Sequence, residues 1–491
     1  MSSYPANLRD ACTSATVCAV PVESGRQLVY DAAESSTRRR TPQTKPKREG
    51  KVLTEKKRRK LIATTQDLRR NYAVAAWAIR KHLDYVSSFS FQAKTGDKAV
   101  DDRLETLMKW WGRRRHCDAA RRHPLRRMVR LAEAHRVVDG DFFFYRLTDG
   151  SLQGIESDHV TKPAAGTPNN FKADDYEQGI KVKAGTGEAL QYCICDRQEK
   201  GSQYEYRACV PARHIFPLGY FDRFDQVRGV SPLATAINTL QDTYEGFDYA
   251  LAKLKVSQLF ALAFFREGAE PLGEVEHDGS EDDDGNATKD GYSVSFDKGP
   301  VQLDLDPGDR AEFLESKTPA AETREFLNLM IAVALKSLDI PFSFFDESFT
   351  NFYGSRGGLM QYLKSCKNKQ RDLADLLDEI TYWRLSLFIQ DGELQLPAGW
   401  TLTNLRWEWV PDGVPWWDPA KEVRGHAEAI ARGLDNPQRV CRETGTDAFE
   451  NIDKTAEVLE YAKKKGVPLE LFREMKPDTV VKSADDDDGE K

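Results

Sequence analysis

The sequence contains no long hydrophobic run. Its longest uninterrupted apolar stretches are Tyr72–Ile79, of eight residues, and Leu259–Phe265 and Leu329–Leu335, of seven each, whereas a membrane-spanning helix needs about 20. No membrane contact is expected. The opening residues, MSSYPANLRD, show no basic stretch followed by an apolar one, so no secretory signal is expected. Cysteine is scarce, with eight in 491 residues, none in a CxxC pair. Cys193 and Cys195 are too close to bridge each other readily. That usage predicts unpaired thiols in a reducing compartment. The motifs of common enzymes are missing too. There is no GxxxxGK[ST], no GxGxxG after a strand, no HExxH and no GxSxG. Gly354-Ser355-Arg356-Gly357 lacks the first spacer of the last of these, so Ser355 is a poor candidate nucleophile. No catalytic residue, metal site or cofactor is expected.

What is present is a soluble, globular composition, 40% apolar and 30% charged. At roughly 100–200 residues per domain the chain should hold about three units. The net charge of −7 hides a polarised chain. Residues 38–70 carry 14 Lys/Arg against Glu49, Glu55 and Asp67. The first part of this block is rich in Pro, Ser and Thr, and residues 1–60 read as a disordered basic arm. Nine arginines lie between Arg113 and Arg136 against Asp118 and Glu133. There they interleave with Leu125, Met128, Val129 and Leu131, as on an amphipathic helix. The opposite pole is Glu267–Asp290, with ten acids against Lys289. It reads as a flexible excursion, because Asp282-Asp283-Asp284 lacks the spacing of a calcium loop.

Apolar periodicity places helices over 64–88, 101–111 and 124–138. Short β-prone runs follow at Phe142–Tyr145, Gln191–Asp196 and Tyr204–Val210. Arg228-Gly229-Val230-Ser231-Pro232-Leu233 is a turn, an N-cap serine and a proline at the first helical position. Leu233, Ile237, Leu240, Tyr244, Phe247, Leu251 and Leu254 follow at spacings of three and four. That repeat makes a seam for another helix, on a rod of roughly 45 Å. Strands are expected within Tyr292–Leu305. A helix from Pro319 to Leu338, apolar nearly all round over 327–335, suits burial among neighbours. An aromatic loop covers 342–357, and a long helix runs from about Gly358 to Ile389. Trp407, Trp409, Trp416 and Trp417 suggest a strand and loop packed on the core rather than a ligand cage. Two helices close the chain, from Asp418 to about Arg432 and from Asp447 to Lys465. The class is α+β, predominantly helical.

The order of these pieces resembles the portal proteins of tailed bacteriophages, in particular the lambda-type family. Arg228-Gly229-Val230-Ser231-Pro232-Leu233 resembles the family's opening of its first stem helix. Leu338-Asp339-Ile340-Pro341 resembles its helix stop, with Asp339 in the glycine place. Phe349–Arg356 resembles its N-Y-S-S-x-R loop, with Gly354 where a serine is usual. Trp416-Trp417-Asp418-Pro419-Ala420-Lys421-Glu422, with Gly433-Leu434 further on, resembles a fourth family segment. The likeness spans roughly residues 60–465.

The resemblance implies a portal-like protomer. Its parts would be a wing (61–230), stem helices (231–266 and 317–341), a clip with the acidic insert (267–316) and a channel loop (342–357). A long helix returning to the wing (358–420) and a helical crown with an acidic tail (421–491) would follow. It also implies a homo-oligomeric ring, usually of twelve, at one capsid vertex of the virion, assembled in the host cytoplasm. Such a ring conducts double-stranded DNA without sequence specificity during packaging and ejection. Its partners are the terminase large subunit, major capsid and scaffolding proteins, and head-tail connector or adaptor proteins. Sliding DNA calls for isolated rings of charge rather than base readout. Phe352, Tyr353, Arg356, Lys364, Lys367 and Lys369 are the candidates for the channel wall. Phe326, Leu329, Met330, Val333, Leu240, Phe247 and Leu251 are the candidates for the subunit interface. Two other readings compete. A metal-dependent nucleic-acid-processing enzyme would gather Asp139, Asp141, Glu156 and Asp158 around metal. A different structural or adaptor protein of the virion would lack a DNA-width channel.

Overall fold

The structure, a computed structural model, describes residues 47–169, 171–198, 203–259, 262–266, 309–313, 321–346, 352–414, 416 and 418–469. Within these, the side chains of 256–259, 262–266, 309–313, 321, 352 and 353 are not described.

A one-turn helix, α1 (Glu49–Val52), precedes α2 (Glu55–Asn71) and α3 (Ala73–Val86). Two expectations change here. The chain is helical from Glu55, six residues before the expected boundary at 61. The single helix expected over 64–88 breaks at Tyr72, whose backbone is extended. The break lets Leu68 on α2 and Ala75 on α3 enter one cluster with Ile237 and Leu240. Tyr72 itself stacks at 4.5 Å on Tyr244.

Next come β1 (Phe89–Ala93), α4 (Lys98–Trp111), the short α5 (Arg114–Cys117) and α6 (Leu125–Asp139). Asp97 caps α4, accepting from the Ala99 and Val100 amides. The β region forms two antiparallel sheets. One orders β3 (Leu152–Glu156), β2 (Asp141–Arg146) and β8 (Ile215–Gly219). The other runs β4 (Tyr176–Glu177), β5 (Ile180–Val182), β6 (Ala189–Arg197), β7 (Tyr204–Pro211). Phe143, Ile155, Tyr192 and Ile194 lock the two sheets together. Cys193 and Cys195 are buried and free, as are all described cysteines that are buried.

The first stem helix, expected to reach Arg266, is shorter. A 3-10 turn (Pro232–Thr235) leads into α7 (Ile237–Leu259), and residues 262–266 are a strand, β9. β9 pairs antiparallel with β10 (Asp309–Phe313), Leu262 opposite Phe313 and Arg266 opposite Asp309. The run Leu259–Phe265 is apolar but rich in β-prone Phe, and edge pairing wins there. The strands expected within 292–305 lie outside the described residues, as does the acidic insert.

α8 (Ala321–Leu335) crosses α7 closely. A Cβ on Gly246 would sit 2.8 Å from Leu327 Cδ2, so glycine permits the approach. α8 tightens into a 3-10 turn and stops at Asp339, whose φ of 63° is left-handed. That conformation favours glycine, which accounts for the family's glycine at this place.

α9 (Phe352–Gln390) has 39 residues and is about 58 Å long. It begins six residues before the expected Gly358, so the last six residues of the expected loop are helix, and residues 347–351 lie outside the described part. α9 buries Tyr362, Cys366, Leu373, Leu377, Ile380 and Phe388 in the main core, beneath α3, α4, α6 and the β2 sheet. β11 (Trp407–Pro411) pairs with β1 and lies on α9. Trp407 Nε1 donates to Asp378 (2.8 Å) and Trp409 Nε1 to Thr381 (3.0 Å), so these tryptophans pack as expected. α10 (Pro419–Ala431), α11 (Pro437–Glu443) and α12 (Ala448–Lys465) close the described chain, each with an Asp or Asn side chain capping its start. Among the described residues, no helix is long and apolar enough to cross a membrane.

Candidate assembly surface and the polar hubs that hold it

The direction of α7 is set by the residues ahead of Ser231. Arg228 is buried and uses its whole guanidinium. Nε donates to Asp141 Oδ2 (2.7 Å) and Nη2 to Asp141 Oδ1 (2.9 Å). Nη1 donates to the carbonyls of Val160 (2.5 Å) and Gln178 (2.8 Å), and Nη2 also to that of Ser157 (2.8 Å). Arg58, from the basic block of α2, reaches the same carboxylate at 3.0 Å and also meets Ser157. Burial alone would raise the Asp141 carboxyl, but Arg228 and Arg58 hold it below the usual carboxylate range. Burial and the nearby Arg228 push Arg58 down to about 10, so its guanidinium stays charged at neutral pH. Gly229 lies against Gly140, where any Cβ would come within 2.1 Å of the Gly140 carbonyl oxygen. Ser231 Oγ donates to Val137 O (2.6 Å) and accepts from the Leu233 amide (3.1 Å). The turn motif thus pins the start of the stem to α2, α6 and both sheets.

A second hub holds the far end of α8 against α9. Glu133 is fully buried, with His82 Nε2 at 2.7 Å and Arg136 Nε at 2.7 Å. Arg136 also reaches Asp372 (2.8 Å) and lies 4.3 Å over the Tyr220 ring. It donates to the Lys369 carbonyl (3.3 Å), while Lys369 Nζ meets Asp339 (3.0 Å) and the Leu338 carbonyl (3.2 Å).

This hub predicts an acid sensitivity. Burial lowers the His82 imidazole, despite its hydrogen bond to Glu133. Burial opposes ionisation of Glu133, but Arg136 and His82 hold its carboxyl below the usual range. At neutral pH a neutral imidazole therefore donates from Nε2 to a carboxylate. In the unfolded chain His82 takes up a proton near pH ~6.5. Its contribution to stability is full above that value and is lost as pH falls toward the lowered folded value. His135 has the opposite sign. Against the pull of burial, Asp139 and Glu156 raise it, so its contribution is full in acid and fades as pH rises through the raised value. Between about pH 6.5 and 5, the melting temperature of the native chain should fall more steeply than that of His82→Gln. Parallel pH curves for the two proteins would sink the assignment to His82.

The expected interface residues separate cleanly. Phe326, Leu329 and Val333 are 57–60% exposed and share one face of α8 at i, i+3 and i+7. Phe247 (43%) and Leu251 (47%) are exposed on α7. Met330 is partly buried. Leu240 is a correction, since it is buried in the protomer's own cluster with Leu68 and Ala334. The helix is thus apolar all round because its two faces do different things. Ile331, Ala334 and Leu335 fill this chain's core, and the opposite face is left uncovered.

The channel candidates also divide. Lys364 and Lys367 are exposed. Lys369 is engaged within the protomer, and Arg356 pairs with Glu422 at 3.1 Å. The backbones of Phe352 and Tyr353 open α9, and their side chains lie outside the described part. The four carboxylates of the nuclease reading are not brought together. Asp141 is held by two arginines, and Asp139 meets His135 (2.7 Å) and Gln66 (3.0 Å). Glu156 and Asp158 instead lie near His159, with possible ligand atoms within 4.8 Å of one another. Asp158 accepts from Tyr204 Oη (2.7 Å), and His159 Nδ1 is 2.8 Å from the Cys195 carbonyl.

Sequence reasoning missed both hubs. The signal for the first was a charged residue, Arg228, set in an otherwise apolar turn. Nothing in the sequence marked Asp141 or Arg58 as its partners.

No curated protein matches the chain. Among solved structures, the neck of an empty gene transfer agent (GTA) particle is similar at a TM-score of 0.48 and 13% identity, covering 78% of this chain and 93% of that one. Chains from the virion of a native GTA particle (TM-score 0.43, 13% identity) and from the neck of a native GTA particle (0.43, 14%) are similar over the same shares. The profile described as phage portal protein, lambda family, matches residues 36–370, which takes in the first hub, all of the second but Asp372, α7, α8 and the first half of α9. The chain therefore belongs to the lambda family of phage portal proteins.

Proposed function

We propose that this portal protein assembles through its stem into a ring of twelve at a capsid vertex, and that the bore passes double-stranded DNA in packaging and ejection. One observation carries the reading. Phe326, Leu329 and Val333 on α8, with Phe247 and Leu251 on α7, present large apolar side chains to solvent in the isolated protomer. Exposed apolar surface on paired helices calls for a cover, and neighbouring copies of the same stem supply one in a ring. In this reading residues 61–230 form the wing, 267–316 the clip and 421–491 the crown. Terminase and the head-tail connector dock on the clip, and capsid and scaffolding proteins surround the wing. Lys364 and Lys367 give the bore its isolated basic rings, touching phosphates transiently so that DNA slides. The protein is a structural component of the particle, not an enzyme.

Negative-stain electron microscopy and mass photometry of the purified protein test this. Rings with a hole wide enough for duplex DNA, at a mass near twelve times 55.6 kDa, are expected. A discrete monomer or dimer that stays so with scaffolding and capsid protein present would overturn it.

A further inference from the structure

We infer that the arginine-rich turn between α4 and α6 is a contact surface for the phosphate backbone of duplex DNA, formed by residues other than those assigned to the bore above. Arg113, Arg114, Arg115, Arg121, Arg122, Arg126 and Arg127 are all exposed. The ion pairs beside them use other groups, Arg130 with Asp84 and Arg136 with Glu133. The two acids of this stretch are buried and turned inward. Asp118 is spent on the turn itself, accepting from the amides of Ala120 (3.0 Å), Arg122 (2.8 Å) and His123 (2.8 Å).

The turn is built to be rigid. Ala119 N donates to Leu152 O (3.0 Å), Arg121 N to Asp118 O (2.8 Å), and Arg121 is held at a left-handed φ of 56°. His116 stacks on Trp110 at 4.0 Å. A fixed cluster of like charges repels itself and gains most from a polyanion. Held in place, it loses little conformational freedom on binding.

One observation favours phosphate over an acidic protein. An apolar groove of about 580 Å³, with Met108, Leu125 and Trp409 in its wall, opens beside the turn, but only Arg113 and Arg126 of the seven line it. The other five lie away from the apolar contacts a protein ligand would use. All seven are arginines, whose planar forks match phosphate oxygens as they match carboxylates, so the acidic-protein outcome is tested below. Contacts to phosphate oxygens carry no base information, so binding should ignore sequence.

The test uses the full chain, a labelled duplex of roughly 30 base pairs and fluorescence anisotropy across a salt series. The variant combines Arg114→Ala, Arg115→Ala, Arg122→Ala and Arg127→Ala. It should bind at least about tenfold more weakly at moderate salt, with a log K against log salt slope shallower by about 3 to 4. The matching set of lysine substitutions keeps the charge and should keep the slope, which separates charge loss from misfolding. Unchanged affinity and slope in the alanine set would overturn the proposal. So would tighter binding of polyglutamate than of duplex at matched charge, which would assign the turn to an acidic protein. Mass photometry on the same samples keeps this apart from the ring reading. Absence of rings with the salt slope intact defeats only the ring, and rings with an unchanged slope in the variant defeat only this proposal.

Discussion

Arg228→Ala should lower the melting temperature of the unit that holds it by roughly 6 to 20 °C, from a loss of about 3–5 kcal/mol. The substitution removes both contacts to Asp141 and three to backbone carbonyls. It leaves the carbonyls of Val160 and Gln178 without this donor and Asp141 with only Arg58 as a charged partner. Buried ion pairs add little net stability, but breaking one strands a charge in a dry site. Arg228→Lys should recover only part of the loss, because an ammonium cannot span Asp141, Val160, Gln178 and Ser157 at once. The readout is thermal unfolding followed by near-ultraviolet circular dichroism, which reports the packed tryptophans and tyrosines. A shift under about 2 °C would mean that the hub relaxes easily, and that Arg228 serves something other than stability.

Leu329→Glu combined with Val333→Glu should abolish ring assembly and leave the protomer's own melting nearly unchanged. Both side chains are more than half exposed in the protomer, so their replacement there removes little packing. In a ring each would be buried, worth about 1.5–3 kcal/mol for a fully covered Leu or Val. The carboxylates would add the cost of burying unpaired charge. Repeated at every subunit contact, the effect should move the assembled fraction from dominant to undetectable by mass photometry at micromolar concentration. Leu240→Glu is the contrast. Leu240 is buried within the protomer, so it should destabilise the chain itself. Rings of normal mass from the double variant would show that the exposed stripe is not the subunit contact.

The departures from the sequence reading have one kind of cause. The helix expected over 64–88 has a continuous apolar pattern, yet it breaks at Tyr72 because Leu68 and Ala75 must both meet the stem. The stem helix expected to Arg266 stops at Leu259, because residues 262–266 find a partner strand more than 40 residues on, at Asp309–Phe313. The loop expected through Gly357 is helix from Phe352, and Arg356 in this stretch meets Glu422, 66 residues further on. In each case a distant contact outweighs a local preference of a few tenths to about 1 kcal/mol per residue.

What the sequence by itself determined is whatever depends on neighbours along the chain. The stem start at Ser231-Pro232, the stop at Asp339-Ile340-Pro341 and the caps at Asp418 and Asp447 are local hydrogen-bonding and backbone preferences, legible residue by residue. Four such signatures in order were enough to suggest the family. The tertiary structure alone decided which charges are spent and which remain available. Arg58 and Arg113 look alike in sequence, each in a basic run. One is buried against a carboxylate 83 residues away, and the other is exposed on a rigid turn. It also decided which apolar residues of α8 belong to the protomer and which are left for a neighbour. The reason is that burial and ion pairing are set by distance in space, and a one-dimensional pattern carries no record of which segments the fold brings together.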